Sequence, residues 1–283
     1  MMGCLIQAEY RMITNDPEES RGTRRKAMKE TLPQRKSWPL EIYMLGHCEI
    51  RVEGVALLKR RKTPHRLLEL LQVIVASGGA AVPVSYLIDQ LWPESDGDRA
   101  VATFSKTLKR LRKYLAVERV IHLEHGPVTL DSTRCWVDVC AFEQGVARSE
   151  HLISSVPLKG WMQELQQALA LYHGPFLLDQ RLKPWAVAIR ERLRECFVKG
   201  VARLSDHWQR LGRLEQAIQW LNRGLQVDPH AAPLYGPLIT LLSATGRKTE
   251  AAVVYHQCAR VFVKELGRPI PQAVQHLYKN VLS

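Results

Sequence analysis

The chain has 283 residues, 40 basic against 28 acidic, for a net charge of +12 at pH 7. Its 46% hydrophobic and 24% charged content is ordinary for a globular protein, and no apolar run approaches the ~18 residues of a membrane span, so a membrane-spanning class is set aside. Six cysteines are scattered without a CxxC pair and the N-terminus lacks a secretory pattern. The expectation is a cytoplasmic protein with reduced thiols, no membrane association, and an anionic partner such as nucleic acid.

Residues 1–37 are polar and aperiodic, with the basic run Arg21-Gly-Thr-Arg-Arg-Lys26, and are expected to be a disordered basic tail. A core begins at Trp38, and composition shifts again near residue 147. The charge excess is +3 for residues 1–37, +1 for 38–146 and +8 for 147–283, which suggests a tail followed by two domains.

The segment 38–146 opens with two alternating stretches, Leu40-Glu-Ile-Tyr-Met-Leu45 and Cys48-Glu-Ile-Arg-Val52, around a turn at Gly46-His47. Three helical patterns follow. The first spans about Pro64 to Ala76, with Leu67, Leu68, Leu71, Ile74 and Val75 on one face. The second runs from about Ser85, as a cap, to Leu91 before Trp92-Pro93, and the third from after Asp98 to about Leu115. The third has an apolar face of Ala100, Phe104, Leu108, Leu111 and Leu115. A hairpin pattern, Arg119 to Leu123 and Val128 to Leu130, closes the segment around His125-Gly126-Pro127. Strands, three helices and a hairpin make the order of a winged helix-turn-helix. The expected fold is therefore mostly α with small β.

Residues 147–283 read as helical almost throughout, so an all-α tetratricopeptide-like domain is expected there. Gly212-Arg-Leu-Glu-Gln-Ala217 recurs as Gly246-Arg-Lys-Thr-Glu-Ala251 at an offset of 34, the tetratricopeptide period. The same offset relates Val201 to Tyr235, Leu204 to Leu238, and Leu221 to Tyr255.

The third helix carries the candidate chemistry. Arg99, Lys106, Lys109, Arg110, Arg112 and Lys113 lie on it with no acid between Arg99 and Lys113. Lys106, Lys109, Arg110 and Lys113 are three or four apart and share a face away from the apolar stripe. Such a helix fits the major groove of double-stranded DNA. Thr103 and Lys106 are placed for base edges, and Arg110, Arg112 and Lys113 for phosphates. Arg61 and Lys62 precede the first helix and are candidates for phosphates; His125 and Thr129 are candidates in the wing. The bland reading of the basic face is solvation alone. Gly246-Arg-Lys-Thr249 lacks the glycines of a phosphate loop, and His122, His125, Cys135 and Cys140 lack converging metal-ligand spacing. No catalytic grouping, metal or cofactor is expected, and Asp138 is expected to hydrogen-bond local backbone. Trp92, Trp136, Trp161, Trp185, Tyr172 and Phe176 are expected to pack in the core or between domains.

Several stretches resemble the Streptomyces antibiotic regulatory protein type of transcriptional activator, an OmpR-like winged helix followed by a bacterial transcriptional activator domain. They are Leu45-Gly46 with Gly54, Leu91-Trp92-Pro93, Leu108-Lys-Arg-Leu-Arg112 and Trp136-Val-Asp-Val-Cys-Ala-Phe-Glu143. Leu171-Tyr-His-Gly-Pro-Phe-Leu177, Trp185 and Arg190-Glu-Arg192 extend the match into the second half. The resemblance implies binding to direct repeats in promoters, contact with RNA polymerase, and a helical domain that supports dimerisation or polymerase contact. The competing expectation is an adaptor whose tetratricopeptide-like groove captures an acidic peptide, with the winged domain as scaffold.

Overall fold

β1 (Leu40–Tyr43) and β2 (Glu49–Val52) pair antiparallel, with Leu40 opposite Val52 and Tyr43 opposite Glu49. The structure, a computed structural model, describes residues 38–57, 65–123, 126–155, 160–178 and 183–282, which belong to one compact unit starting at Trp38. Gly54, at φ +77°, turns the chain into β3 (Val55–Ala56). The sheet is completed by β7 (Cys135–Val137), which lies parallel to β1 and gives the order β3-β2-β1-β7.

α1 (His65–Ala76), α2 (Val84–Leu91) and α3 (Gly97–Leu115) follow the expected order. α1 is buried almost all round, Leu70 and Val73 included, because it packs among the neighbouring helices of both halves. Ser85 does not cap α2. Pro83 holds the cap position, with no side-chain cap bond, since Val82–Pro83 forms a two-residue strand, β4, that leads directly into the helix and proline's fixed φ suits such an entry. β5 (Ile121–Leu123) and β6 (Pro127–Leu130) form the hairpin, and β4 joins the far side of β6. Arg119 sits in the left-handed region at φ 53°, so the strand starts later than its alternation suggests.

The second half comprises α4 (Asp138–Ser155), α5 (Trp161–Leu171), α6 (Pro184–Arg210), α7 (Leu214–Val227), α8 (Ala232–Ala244), α9 (Lys248–Ala259) and α10 (Gln272–Leu282); a π-helical stretch, Arg260–Glu265, continues α9. The 34-residue offset is physical. Gly212 and Gly246, at φ +70° and +77°, make the turns before α7 and α9, a conformation costly for other residues. Ala217 and Ala251 are both fully buried, as are Leu204 with Leu238 and Val201 with Tyr235. Tyr255, in Leu221's place, instead stacks on Tyr278 of α10 at 3.7 Å between ring centroids. Gly224 lets α7 approach α6 and α8: a Cβ there would lie 2.6 Å from Leu234 and 3.0 Å from Val201.

The two halves meet at the β1–β2 turn. Gly46 N–H donates to Pro175 O at 3.1 Å, and Leu177 N–H donates to Met44 O at 2.9 Å. Leu45 and Phe176 form an antiparallel bridge. From the other side, the Asp138 carboxylate at the start of α4 accepts from Met44 N–H, Leu45 N–H and Val139 N–H at 2.7–2.9 Å. Asp138 thus bonds backbone, as expected, but two of its three donors lie over ninety residues away, because β7 runs beside β1 and delivers it there. Arg190 of α6 donates to Phe176 O and Leu177 O at 2.9 and 2.8 Å. Farther along, buried Glu69 of α1 takes Arg66 at 2.9 Å and Lys183 at 3.2 Å, and Glu143 of α4 takes Arg192 at 3.0 Å. A single apolar core runs through both halves, and α4 passes residue 147 without a break.

Burial pushes the Asp138 carboxyl up to about 6, against the pull of its three backbone donors. The folded chain therefore holds this proton more tightly than an unfolded chain does, where the value is ~3.9. Its contribution to stability is complete below pH ~4 and is lost as pH rises through 6. Asp138→Asn puts an N–H in place of one of the two oxygens that accept from the backbone, so it should lose about 1–3 kcal/mol. Urea unfolding from pH 4.5 to 7 should show that deficit narrowing as pH rises; a widening deficit contradicts the assignment.

Candidate nucleic-acid interface

α3 has a clear inside and outside. Ala100, Phe104, Thr107, Leu108, Leu111 and Leu115 are buried against α1 and α2. Arg66 of α1 donates to Leu91 O at 3.2 Å, which ties α1 to the end of α2 just before the Trp92-Pro93 turn into α3. Ala116, left-handed at φ 54°, ends α3 with its N–H on Arg112 O.

At about 100° per residue, Arg99, Thr103, Lys106, Arg110 and Lys113 fall within about 40° of one line along the outer face. They are spaced 4, 3, 4 and 3, and all are exposed. Lys109 lies about 80° off that line, still exposed, so it flanks the row. Thr103 donates its hydroxyl proton to Arg99 O at 2.8 Å, which leaves its oxygen outward as an acceptor.

Among the described residues, Arg99, Lys106, Lys109, Arg110 and Lys113 have no ion-pair, hydrogen-bond or ring partner from their side chains. The helical half differs. Arg192, Arg194, Lys199, Arg203, Arg210 and Arg247 each pair with a carboxylate. Those six cations sit beside carboxylates, whereas the cations of the α3 row do not. Lys106–Arg110 and Lys109–Lys113 are like-charge i,i+4 pairs, each costing about 0.2–0.5 kcal/mol, a repulsion that a bound polyanion would relieve.

Arg112, a candidate for phosphates, sits on another side of the helix. It lies about 140° from the row and donates Nε–H to Ile121 O of β5 at 3.1 Å. Thr129 of β6 accepts from Ala81 N–H at 2.9 Å, so its hydroxyl fastens the hairpin to the chain entering β4. Arg61, Lys62 and His125 lie outside the described residues, as does the tail of residues 1–37. Neither the Arg112 bond nor the reach of Asp138 leaves a mark in local sequence, except that Arg112 breaks the 4-3-4-3 spacing.

Among the described residues no group of three His, Cys, Asp or Glu side chains could hold a metal, and no helix is long and apolar enough to cross a membrane. His122 faces Asp131 at 3.4 Å. Burial pushes the Cys135 and Cys140 thiols up to about 12 and about 11, which keeps them protonated. Arg247, in the Gly246 turn, is clasped by Glu250 at 2.6 Å and Glu215 at 3.1 Å, so carboxylates occupy its guanidinium. Trp161, Tyr172 and Phe176 are buried, with Tyr172 stacked on Phe197 at 4.3 Å.

A helix-turn-helix with a basic outer face, a hairpin beside it and a two-repeat helical half is the architecture of a winged-helix regulator. Residues 137–282 match the family model described as the bacterial transcriptional activator domain. The chain belongs to that family, and is of the Streptomyces antibiotic regulatory protein type of transcriptional activator. It is 23% identical to the regulatory protein DnrI of Streptomyces peucetius over 253 residues, 86% of this chain and 92% of that protein. The regulatory protein AfsR of Streptomyces griseus is 25% identical over 213 residues, 75% of this chain and 22% of AfsR. Among solved structures, Mycobacterium tuberculosis EmbR in complex with a low affinity phosphopeptide shares the fold, with a TM-score of 0.61 at 21% identity over 86% of this chain and 65% of that one.

Because the α3 cations are exposed and unpartnered, Lys106→Ala and Arg110→Ala should leave unfolding stability within about 0.5 kcal/mol of wild type. Urea titration checks this; a loss above ~1 kcal/mol would mean the row serves the fold.

Proposed function

We propose that the chain is a cytoplasmic, non-enzymatic transcriptional activator that reads double-stranded DNA through α3. The observation that carries this is the uncovered row Arg99, Thr103, Lys106, Arg110 and Lys113, opposite a fully packed core face. An α-helix fills the major groove, where Lys and Arg donate to guanine O6 and N7. Lys106 sits mid-row, with Thr103 one turn before it, and takes base edges; Lys109, Arg110 and Lys113 extend along the helix towards phosphates. Arg61, Lys62 and the wing's His125 are added as backbone contacts on the strength of their charge and their places in the chain. Thr129 contributes by holding the hairpin to β4.

The family points to the rest of the reading: binding to promoter direct repeats, with copies of the chain placed side by side, and a helical half that contacts RNA polymerase or a second copy. The shared core and the clamped β1–β2 turn support it, since they would hold the helical half at a set angle to the bound DNA.

Duplex selected from random sequence should bind with a steep salt dependence. Lys106→Ala should cost about 1–3 kcal/mol on that duplex and relax its sequence preference. Lys113→Ala should weaken all duplexes alike and reduce the salt slope by about one unit. Indifference of binding to both changes would remove α3 from the interface. Capture of an acidic peptide with no affinity for duplex would favour the adaptor.

A further inference from the structure

Arg112 is basic, exposed and on the recognition helix, yet it does not point along the row that would face DNA. We propose that Arg112 is a positioning residue for DNA reading: it braces the wing hairpin against α3 and is not itself a phosphate ligand. This rests on the DNA-reading role of α3 proposed above.

Asp131 N–H donates to Val120 O at 2.9 Å, and the register pairs Ile121 with Leu130 and His122 with Thr129. In an antiparallel pair, residues alternate between bonded and non-bonded partners. Residue 120 is bonded across the hairpin, so the carbonyl of Ile121 points away from β6, on the open edge of the sheet. β5 is the outermost strand of its sheet, so among the described residues no strand supplies a donor there. Arg112 Nε–H does, at 3.1 Å.

The Ile121 side chain is buried while its carbonyl is held by α3, so the strand is fixed to the core on one side and to the helix on the other. Thr129 fixes β6 to the Ala81 backbone. The hairpin is therefore anchored at both strands, and Arg112 is its only link of this kind to α3 among the described hydrogen bonds. A cavity of ≈ 540 Å³, lined by Arg112, residues 116–119 and β5, opens between helix end and strand. Without the Arg112 bond, β5 would keep its buried Val120 and Ile121 and its pairing with β6 but would lose its hydrogen bond to α3.

The bonding nitrogen allows a clean test in the full-length chain. Glutamine places an amide N–H at the same bond count from Cα as arginine Nε but carries no charge, whereas methionine keeps a stem and offers no donor. In hydrogen–deuterium exchange without DNA, Arg112→Met should speed exchange of amides in residues 121–130 at least fivefold, and Arg112→Gln should stay near wild type. On the duplex selected by the wild type, Arg112→Met should bind three- to tenfold more weakly and lose hydroxyl-radical protection on the wing side of the footprint. Arg112→Gln should bind within about twofold, and neither should change the salt slope.

If Arg112→Gln falls as far as Arg112→Met and both lose about one unit of salt slope, Arg112 is a phosphate ligand and the proposal is overturned. Unchanged exchange in Arg112→Met overturns it as well. Should the wild type bind no duplex, the reading of α3 fails instead, and the exchange arm still decides whether Arg112 braces the hairpin.

Discussion

The arrangement depends on how the β1–β2 turn is held. Met44 and Leu45 present buried backbone N–H groups, and Asp138 takes both while also accepting from Val139 at the start of α4. A buried, unbonded N–H costs about 1–3 kcal/mol, so two such donors constitute a strong demand. Asp138 can meet it only because β7 runs parallel to β1 and ends beside the turn. The same turn carries Gly46, whose Cα lies within 3.4 Å of a Cβ built at Gly174. That close approach lets residues 175–178 run antiparallel to 44–46. The N-terminal sheet and the entrance to the helical half thus share one set of backbone bonds, with Arg190 holding the far side. Family stretches that look unrelated in the chain, Leu45-Gly46, the Asp138 junction, Pro175-Phe176-Leu177 and Arg190, converge at this one place.

From that junction the charges fall into a pattern with physical consequences. Along α6, and at Arg247 in the second repeat turn, cations sit beside carboxylates and cancel locally. On α3 they do not. A row of like charges on one helix is a standing electrostatic cost that folding does not relieve. It is supportable because Phe104, Leu108 and Leu111 bury the opposite face completely. The helix is anchored by its apolar side and left charged on the side that meets solvent, so its field is available to a polyanion such as duplex DNA.

Much of this was legible in sequence because it is periodic. The apolar stripe of α3, the 34-residue repeat with its two glycine turns, and the strand–helix–hairpin order all follow from spacing, and the helices lie where that spacing puts them. What was not legible is non-local or too short to be periodic. β4 and β7 have two and three residues, and their pairing partners lie far along the chain, so neither alternation nor composition marks them. In sequence Asp138 points only to local backbone because nothing in its neighbourhood reveals Met44. Arg112 already falls off the face that Lys106, Lys109, Arg110 and Lys113 share in sequence, but nothing near it marks the partner its guanidinium finds. Its angle about the axis, and an edge carbonyl nine residues on, separate it from them.

The central claim is that the outer row of α3 reads duplex DNA at promoters. The most direct test is genome-wide mapping of a tagged copy, with and without Lys106, Lys109 and Arg110 changed to Ala. Discrete promoter peaks that vanish in the triple variant, at equal protein level, are the predicted result. Peaks that persist unchanged, or a wild-type profile with none in cells expressing the protein well, would contradict it.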